Sequence, residues 1–346
     1  MAFEKVTVPG KRIPASPSDA PGAPSEAGHP VGPAAFRRTI PADARIGYWT
    51  APDGWKLRRF DWPAEAPRGR LLFQTGRGDI FEKYLETLAE LRTMGWSVTA
   101  FDWRGQGGSG RLSSNPNVGH ASDFGVFDSD LAAFWSAWQA EDVGAVGPSV
   151  IMGHSMGGMM VMRALANRTI RPDAAILVAP MIGLKSPLGS AFSGRIAAWM
   201  ARHGDPARAA WRTNERPGSV ASRQALLTHD VDRYRDERWW QARNPELRLG
   251  PPSWSWLAQG FAGAAALAID PAVESIDTPI LMLIAETDKL VDSRAALRLA
   301  ARLPNVQVMR FGRESAHEIL READGVRGRA MSAIASFLAA CLPTRR

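Results

Sequence analysis

Two hydrophobic periods take turns along the chain. Short apolar runs at 46–50, 56–62, 70–74, 96–101, 150–152, 174–179, 280–285 and 306–311 have the length and composition of strands. Between them, 84–94, 123–140, 156–166, 293–301 and a last stretch through Ile334 and Leu338 repeat at helical spacing. In 123–140, for example, Phe127, Leu131, Phe134 and Trp138 fall on one face. Pro52-Asp53-Gly54 reads as the turn of a hairpin, and Gly95 as the C-cap of the first helix. Strands alternating with helices predict an α/β fold, a mostly parallel sheet with helices on both faces.

Two stretches break the alternation. Residues 1–40 are rich in Pro, Ala, Gly and Ser, and read as a flexible arm. Residues 182–270 are helical in character and hold six of the 13 tryptophans. An insertion at that point of the sheet would lie over the carboxyl ends of the strands, where open α/β sheets bind ligands. The expected organisation is therefore an arm (1–40), a core (41–181 and 271–346) and a helical cap (182–270).

Composition narrows the class. With 45% hydrophobic and 22% charged residues among 346, the chain reads as an ordinary globular protein. A single cysteine, Cys341, excludes an intramolecular disulfide and a cysteine-clustered metal site. The first residues lack a basic segment followed by an apolar one, and no run of 18 apolar residues occurs, so a cytoplasmic protein is expected. The net charge of +7 favours contact with anionic surfaces. No nucleic-acid partner is expected.

The chemistry centres on Gly153-His154-Ser155-Met156-Gly157, at the junction of a strand and a helix. This is the G-x-S-x-G pattern of a nucleophile elbow. A serine is presented at a sheet's edge only if the strand reverses sharply into the helix, which crowds the positions two before and two after it. Glycine fits both. The helix start adds N–H groups where an oxyanion would form. A serine nucleophile needs a base, and the base an orienting acid. Of six histidines, His29 lies in the arm, His203 and His229 in the cap, and His120 before a helix. His154 is too close along the backbone to reach around to the serine. His317 follows the last strand, in a loop that can return to the sheet's carboxyl edge. The acid should end the preceding strand, and Asp288 is the choice over Asp292 and Glu286. The order Ser, Asp, His is that of an α/β-hydrolase.

The chain resembles the α/β-hydrolase superfamily, and within it the monoacylglycerol lipase and lysophospholipase L2 branch. The likeness is carried by Thr75-Gly76-Arg77-Gly78-Asp79, similar to the oxyanion loop; by Asp102-Trp103-Arg104-Gly105-Gln106-Gly107-Gly108-Ser109-Gly110; by the elbow; and by the cap segments Leu227 to Asp230 and Leu247 to Pro252. Thr75 stands where the family usually carries histidine. The resemblance implies an α/β-hydrolase fold with a helical cap, and a serine esterase acting on glycerolipids. Ser155 would be the nucleophile, His317 the base and Asp288 the acid, with the N–H groups of Met156 and Arg77 as oxyanion donors. No metal or organic cofactor is implied. The expected partner is a lipid or small ester, with transient membrane-surface contact through the cap. The cap carries 12 basic and 8 acidic residues. Among the basic ones, Arg233, Arg235, Arg238 and Arg248 are candidates for holding an anionic head group. The alternatives are a general carboxylesterase, an acyltransferase or a proline-type aminopeptidase of the same fold, or a non-catalytic binding protein. The aminopeptidase would need cap acids for the substrate amine, with Asp232, Asp236, Glu237 and Glu246 available.

Overall fold

The structure, a computed structural model, describes residues 32–141, 147–211 and 220–342. Eight strands form one sheet in the order β1-β2-β4-β3-β5-β6-β7-β8. The first two, β1 (Arg45–Thr50) and β2 (Lys56–Trp62), are an antiparallel hairpin. Its turn uses Gly54 at φ +87°, a conformation that costs glycine nothing. β2 runs antiparallel to β4 (Trp96–Phe101). From β4 onward, β3 (Gly69–Gln74), β5 (Ser149–His154), β6 (Ala174–Val178), β7 (Ile280–Ala285) and β8 (Val306–Phe311) are parallel.

Every residue of β3, β5, β6 and β7 is buried, as a sheet covered on both faces requires. Side chains alternate between two cores. Leu72, Ile151, Leu177 and Met282 face one, shared with α2 (Gly125–Ala140), α3 (Met156–Ala166) and α8 (Ser293–Ala300). Leu71, Phe73, Val150, Met152 and Leu281 face the other, under α1 (Leu85–Thr93) and α9 (Asp324–Cys341). The aromatic face of α2 seats Phe134 against Phe101, with ring centroids 4.5 Å apart. Truncating such a side chain to alanine costs about 3–5 kcal/mol.

Between β6 and β7 the chain leaves the sheet, and the described residues there form four α-helices: α4 (Ser190–Arg202), α5 (Val220–Leu227), α6 (Val231–Arg243) and α7 (Trp254–Ile269). Asp230 caps α6 by accepting from the Arg233 N–H at 2.8 Å, and Ser253 caps α7 by accepting from the Trp256 N–H at 3.1 Å. No helix among the described residues is long and apolar enough to cross a membrane.

The end of the Pro- and Ala-rich stretch differs from the flexible arm that its composition predicts. Residues 1–31 lie outside the described residues, but Gly32–Phe36 form a short 3-10 helix. Phe36 packs edge-on against Trp62 at 4.9 Å. Arg37 and Arg38 both bind Asp236 of α6, at 2.5 and 2.6 Å, and the Arg37 carbonyl accepts from the Trp240 indole at 2.9 Å. Three polar contacts and one aromatic one outweigh the low propensity of the segment.

Candidate active site

The elbow is built from close backbone approach. A Cβ on Gly153 would lie 2.7 Å from the backbone of Gly157, and one on Gly157 would lie 2.5 and 2.6 Å from the carbonyl oxygens of Gln74 and Thr75. Neither clash could be relieved by moving a side chain. Between them Ser155 sits at φ 52°, ψ −115°, a strained conformation for a residue with a Cβ. The strain turns the chain from β5 directly into α3, and Met156 is the first helical residue, so its N–H has no acceptor within the helix. Gly76 comes so close that a Cβ there would lie 3.1 Å from the Ser155 Cβ. Arg77, the next residue, lines the same cavity as Ser155.

Three side chains meet at the elbow. Ser155 Oγ donates to His317 Nε2 at 2.9 Å, and His317 Nδ1 donates to Asp288 Oδ2 at 2.6 Å. The other Asp288 oxygen accepts from the N–H groups of Leu290 and Val291, at 2.7 and 3.1 Å. All three are buried, Ser155 being 8% exposed and the others less. The His317 loop is tied to the cap, the Glu318 N–H donating to the Leu227 carbonyl at 2.7 Å. Burial opposes a charge on His317, but the Asp288 carboxylate more than offsets it, and the imidazole pKa lies above the ordinary 6.5. Burial likewise opposes ionisation of Asp288; the charge and hydrogen bond of His317 and the two N–H donors reverse this and hold its pKa below the usual carboxylate value. The other two candidate acids are otherwise engaged: Asp292 caps α8 through the Arg294 N–H at 3.0 Å, and Glu286 pairs with Arg310.

These residues open onto a cavity of about 720 Å³, in the range of small-molecule sites. One wall is apolar, with Leu184, Trp254, Trp256, Leu257 and Phe261 of the cap. Another corner is polar: Asp79, Lys83, Arg223 and Glu318. Lys83 Nζ lies 2.5 Å from both Asp79 and Glu318 and 3.1 Å from Glu237. This corner has no signature in the sequence, because its partners are brought together from opposite ends of the chain.

The four cap arginines singled out from the sequence do not line the cavity. Arg233 is buried away from it, donating to Glu86, Asp230 and Asp324 at 2.7 Å. The acids of α1 and α9 use up its guanidinium. Arg235 is exposed and pairs with Asp232 at 3.1 Å. Arg238 and Arg248 are exposed outside the cavity. The cap acids are also elsewhere: Asp232, Asp236, Glu237 and Glu246 do not line it. Among the described residues, no group of three or more His, Cys, Asp or Glu could hold a metal ion. Of the remaining histidines, His120 meets Ser253 at 2.9 Å, His203 stacks on Trp199 and His229 meets Glu322 at 3.0 Å. His29 lies outside the described residues.

Comparison with known proteins gives the family. Residues 65–324 match the family model described as serine aminopeptidase, S33. The chain belongs to this family. Lysophospholipase L2 of Escherichia coli is 34% identical over 277 residues, 76% of this chain and 78% of that one. A probable lysophospholipase L2 of Haemophilus influenzae is 28% identical over 230 residues, 64% of this chain and 69% of that one. In fold, this S33 family member is similar to a soluble variant of monoglyceride lipase from Saccharomyces cerevisiae, with a TM-score of 0.72 at 19% identity, covering 88% of this chain and 97% of that one. The sheet and its helices are those of an α/β-hydrolase.

Proposed function

We propose that the protein hydrolyses the acyl ester of a single-chain glycerolipid, a lysophospholipid or a monoacylglycerol, through an acyl-enzyme on Ser155. The observation that carries this reading is the Ser155–His317–Asp288 chain of hydrogen bonds in a cavity lined by both apolar and polar side chains. His317 takes the Ser155 proton as the hydroxyl attacks the ester carbonyl. The oxyanion is held by the N–H groups of Met156 and Arg77, each donor worth about 3–4 kcal/mol. His317 then protonates the leaving alcohol, and water, deprotonated by the same imidazole, releases the fatty acid. Asp288 keeps the imidazole in the needed tautomer throughout. The apolar wall suits an acyl chain, and the polar corner suits the alcohol side. The relatives named lysophospholipase L2 and monoglyceride lipase support the same substrate class. An aminopeptidase would need carboxylates for a substrate amine, and among the described residues the two that line the cavity, Asp79 and Glu318, are both bound to Lys83.

A fluorophosphonate should label Ser155 and block release of fatty acid from both lipids, with no activity on aminoacyl nitroanilides. Rapid nitroanilide cleavage with inert lipids would overturn the proposal in favour of the peptidase, and an unlabelled Ser155 would point to a binding protein.

The lipid is drawn from a membrane surface at the α4 side of the cap. Leu188, just before α4, and Phe192 and Trp199, two turns apart on it, are 62%, 54% and 56% exposed. Arg195 and Arg202 are exposed beside them, and α4 carries no acidic residue. Leu188 also lines the cavity, together with the exposed Lys185 and Lys289. An apolar stripe flanked by cations is the pattern of a helix that lies in an interface. The double variant Phe192→Glu, Trp199→Glu should lose most binding to anionic vesicles in a sedimentation assay while turning over a soluble short-chain ester at the wild-type rate. Undiminished vesicle binding would move the contact elsewhere.

A further inference from the structure

The mechanism uses one histidine, but a second lies against it. His154 ends β5, is 2% exposed, and its ring centroid is 4.9 Å from that of His317. Its Nδ1 lies 2.9 Å from the Tyr84 hydroxyl and 3.2 Å from Asp79 Oδ2. Tyr84 donates its own proton to the same carboxylate oxygen at 2.8 Å. Nδ1 therefore carries the His154 proton, and Nε2 is left as a buried lone pair with no partner. An Nε2–H would be a buried donor with nothing to accept it, so the surroundings disfavour the doubly protonated ring.

Asp79 works against this. A carboxylate in contact with an imidazole favours the imidazolium. Here Lys83 occupies the other Asp79 oxygen at 2.5 Å. The wider set is balanced: Lys83 also holds Glu318 and Glu237, Arg321 holds Glu318 at 2.5 Å, and Arg223 holds Glu237 at 3.1 Å, so three cations face three carboxylates. Two imidazolium ions at ring-contact distance would repel each other, and His317 must become one in every turnover.

We propose that His154 is a positioning residue held permanently neutral beside His317, and that Lys83 keeps it so by neutralising Asp79. The inference rests on the reading of His317 as the base. The directions agree with it: burial lowers the proton affinity of His154 below the ordinary histidine value, whereas His317, facing Asp288, lies above it.

Lys83→Met leaves the Asp79 charge uncompensated against His154. The acid limb of kcat/KM on a soluble ester should then move to higher pH by about one unit, because His154 takes up a proton near neutrality and silences His317. Adding His154→Phe should move the limb back toward its wild-type position, leaving only the smaller direct pull of the freed Asp79 and Glu318 charges on His317. A purely structural Lys83 would lower the rate at all pH values and leave the limb in place. An unmoved limb in Lys83→Met, or a limb displaced as far in the double variant as in Lys83→Met, overturns the proposal. Imidazole NMR of the wild-type protein tests it without any variant: His317 should titrate and His154 should not between about pH 5 and 9. A His154 titration in that range refutes it. Failure of the underlying mechanism has a different signature, full turnover by His317→Ala.

Discussion

Ser155→Ala and His317→Ala will each lower turnover of a soluble ester by about a millionfold, and the double variant will be little worse than either. The expectation follows from the 2.9 Å Ser155–His317 contact. A hydroxyl without a base in reach is a poor nucleophile at neutral pH, and a base without the hydroxyl has nothing to activate. The two losses are therefore one loss measured twice. Both variants should retain the wild-type melting temperature within a few degrees, since Ser155 occupies strained backbone and alanine meets the same constraint. Strict additivity of the two effects, or substantial turnover by His317→Ala, would mean that another group acts as base.

Asp288→Asn should cost about 10⁴ in turnover. Its carboxylate fixes the proton on His317 Nδ1 at 2.6 Å, which leaves Nε2 as the lone pair facing Ser155. An amide can offer its N–H₂ instead and stabilise the opposite tautomer. The pH profile gives a second readout. His317 must be neutral to accept a proton, so kcat/KM falls as pH drops through its pKa. Asp288 raises that pKa above 6.5, which sets the acid limb above 6.5 in the wild type. Removing the negative charge lowers it, so the limb of Asp288→Asn should move to lower pH. Asp292→Asn, whose amide oxygen still accepts from the Arg294 N–H and which gives up only the Arg298 pair at 3.7 Å, should keep nearly full turnover and nearly full stability. The reverse ranking would transfer the acid to Asp292.

How far the site could be read from the chain depended on the range of the interactions. The elbow was legible because its constraint is local: Gly153 and Gly157 are spaced by the turn itself, and their backbone clashes lie within the strand–turn–helix unit and its neighbouring strand. His317 followed from its place after the last strand. The acid was less determined, since Asp288, Asp292 and Glu286 lie within seven residues. Only their three-dimensional partners separate them. The Lys83 corner was illegible, because Lys83 and Glu318 are 235 residues apart. The surroundings of the cap arginines were illegible for a related reason. A net charge counts Arg233 as available, yet Glu86, Asp230 and Asp324 hold it. Conversely, the exposed face of α4 could not be told from a buried one, because Phe192 and Trp199 have helical spacing in either case.

The ties on α6 bear on how a substrate gets in. That helix is moored from three sides: to the segment before β1 through Asp236 and Trp240, to α1 and α9 through Arg233, and to Lys83 through Glu237. Entry that required α6 to swing away would have to break all of these contacts at once, so a substrate is expected to reach Ser155 with α6 left in place.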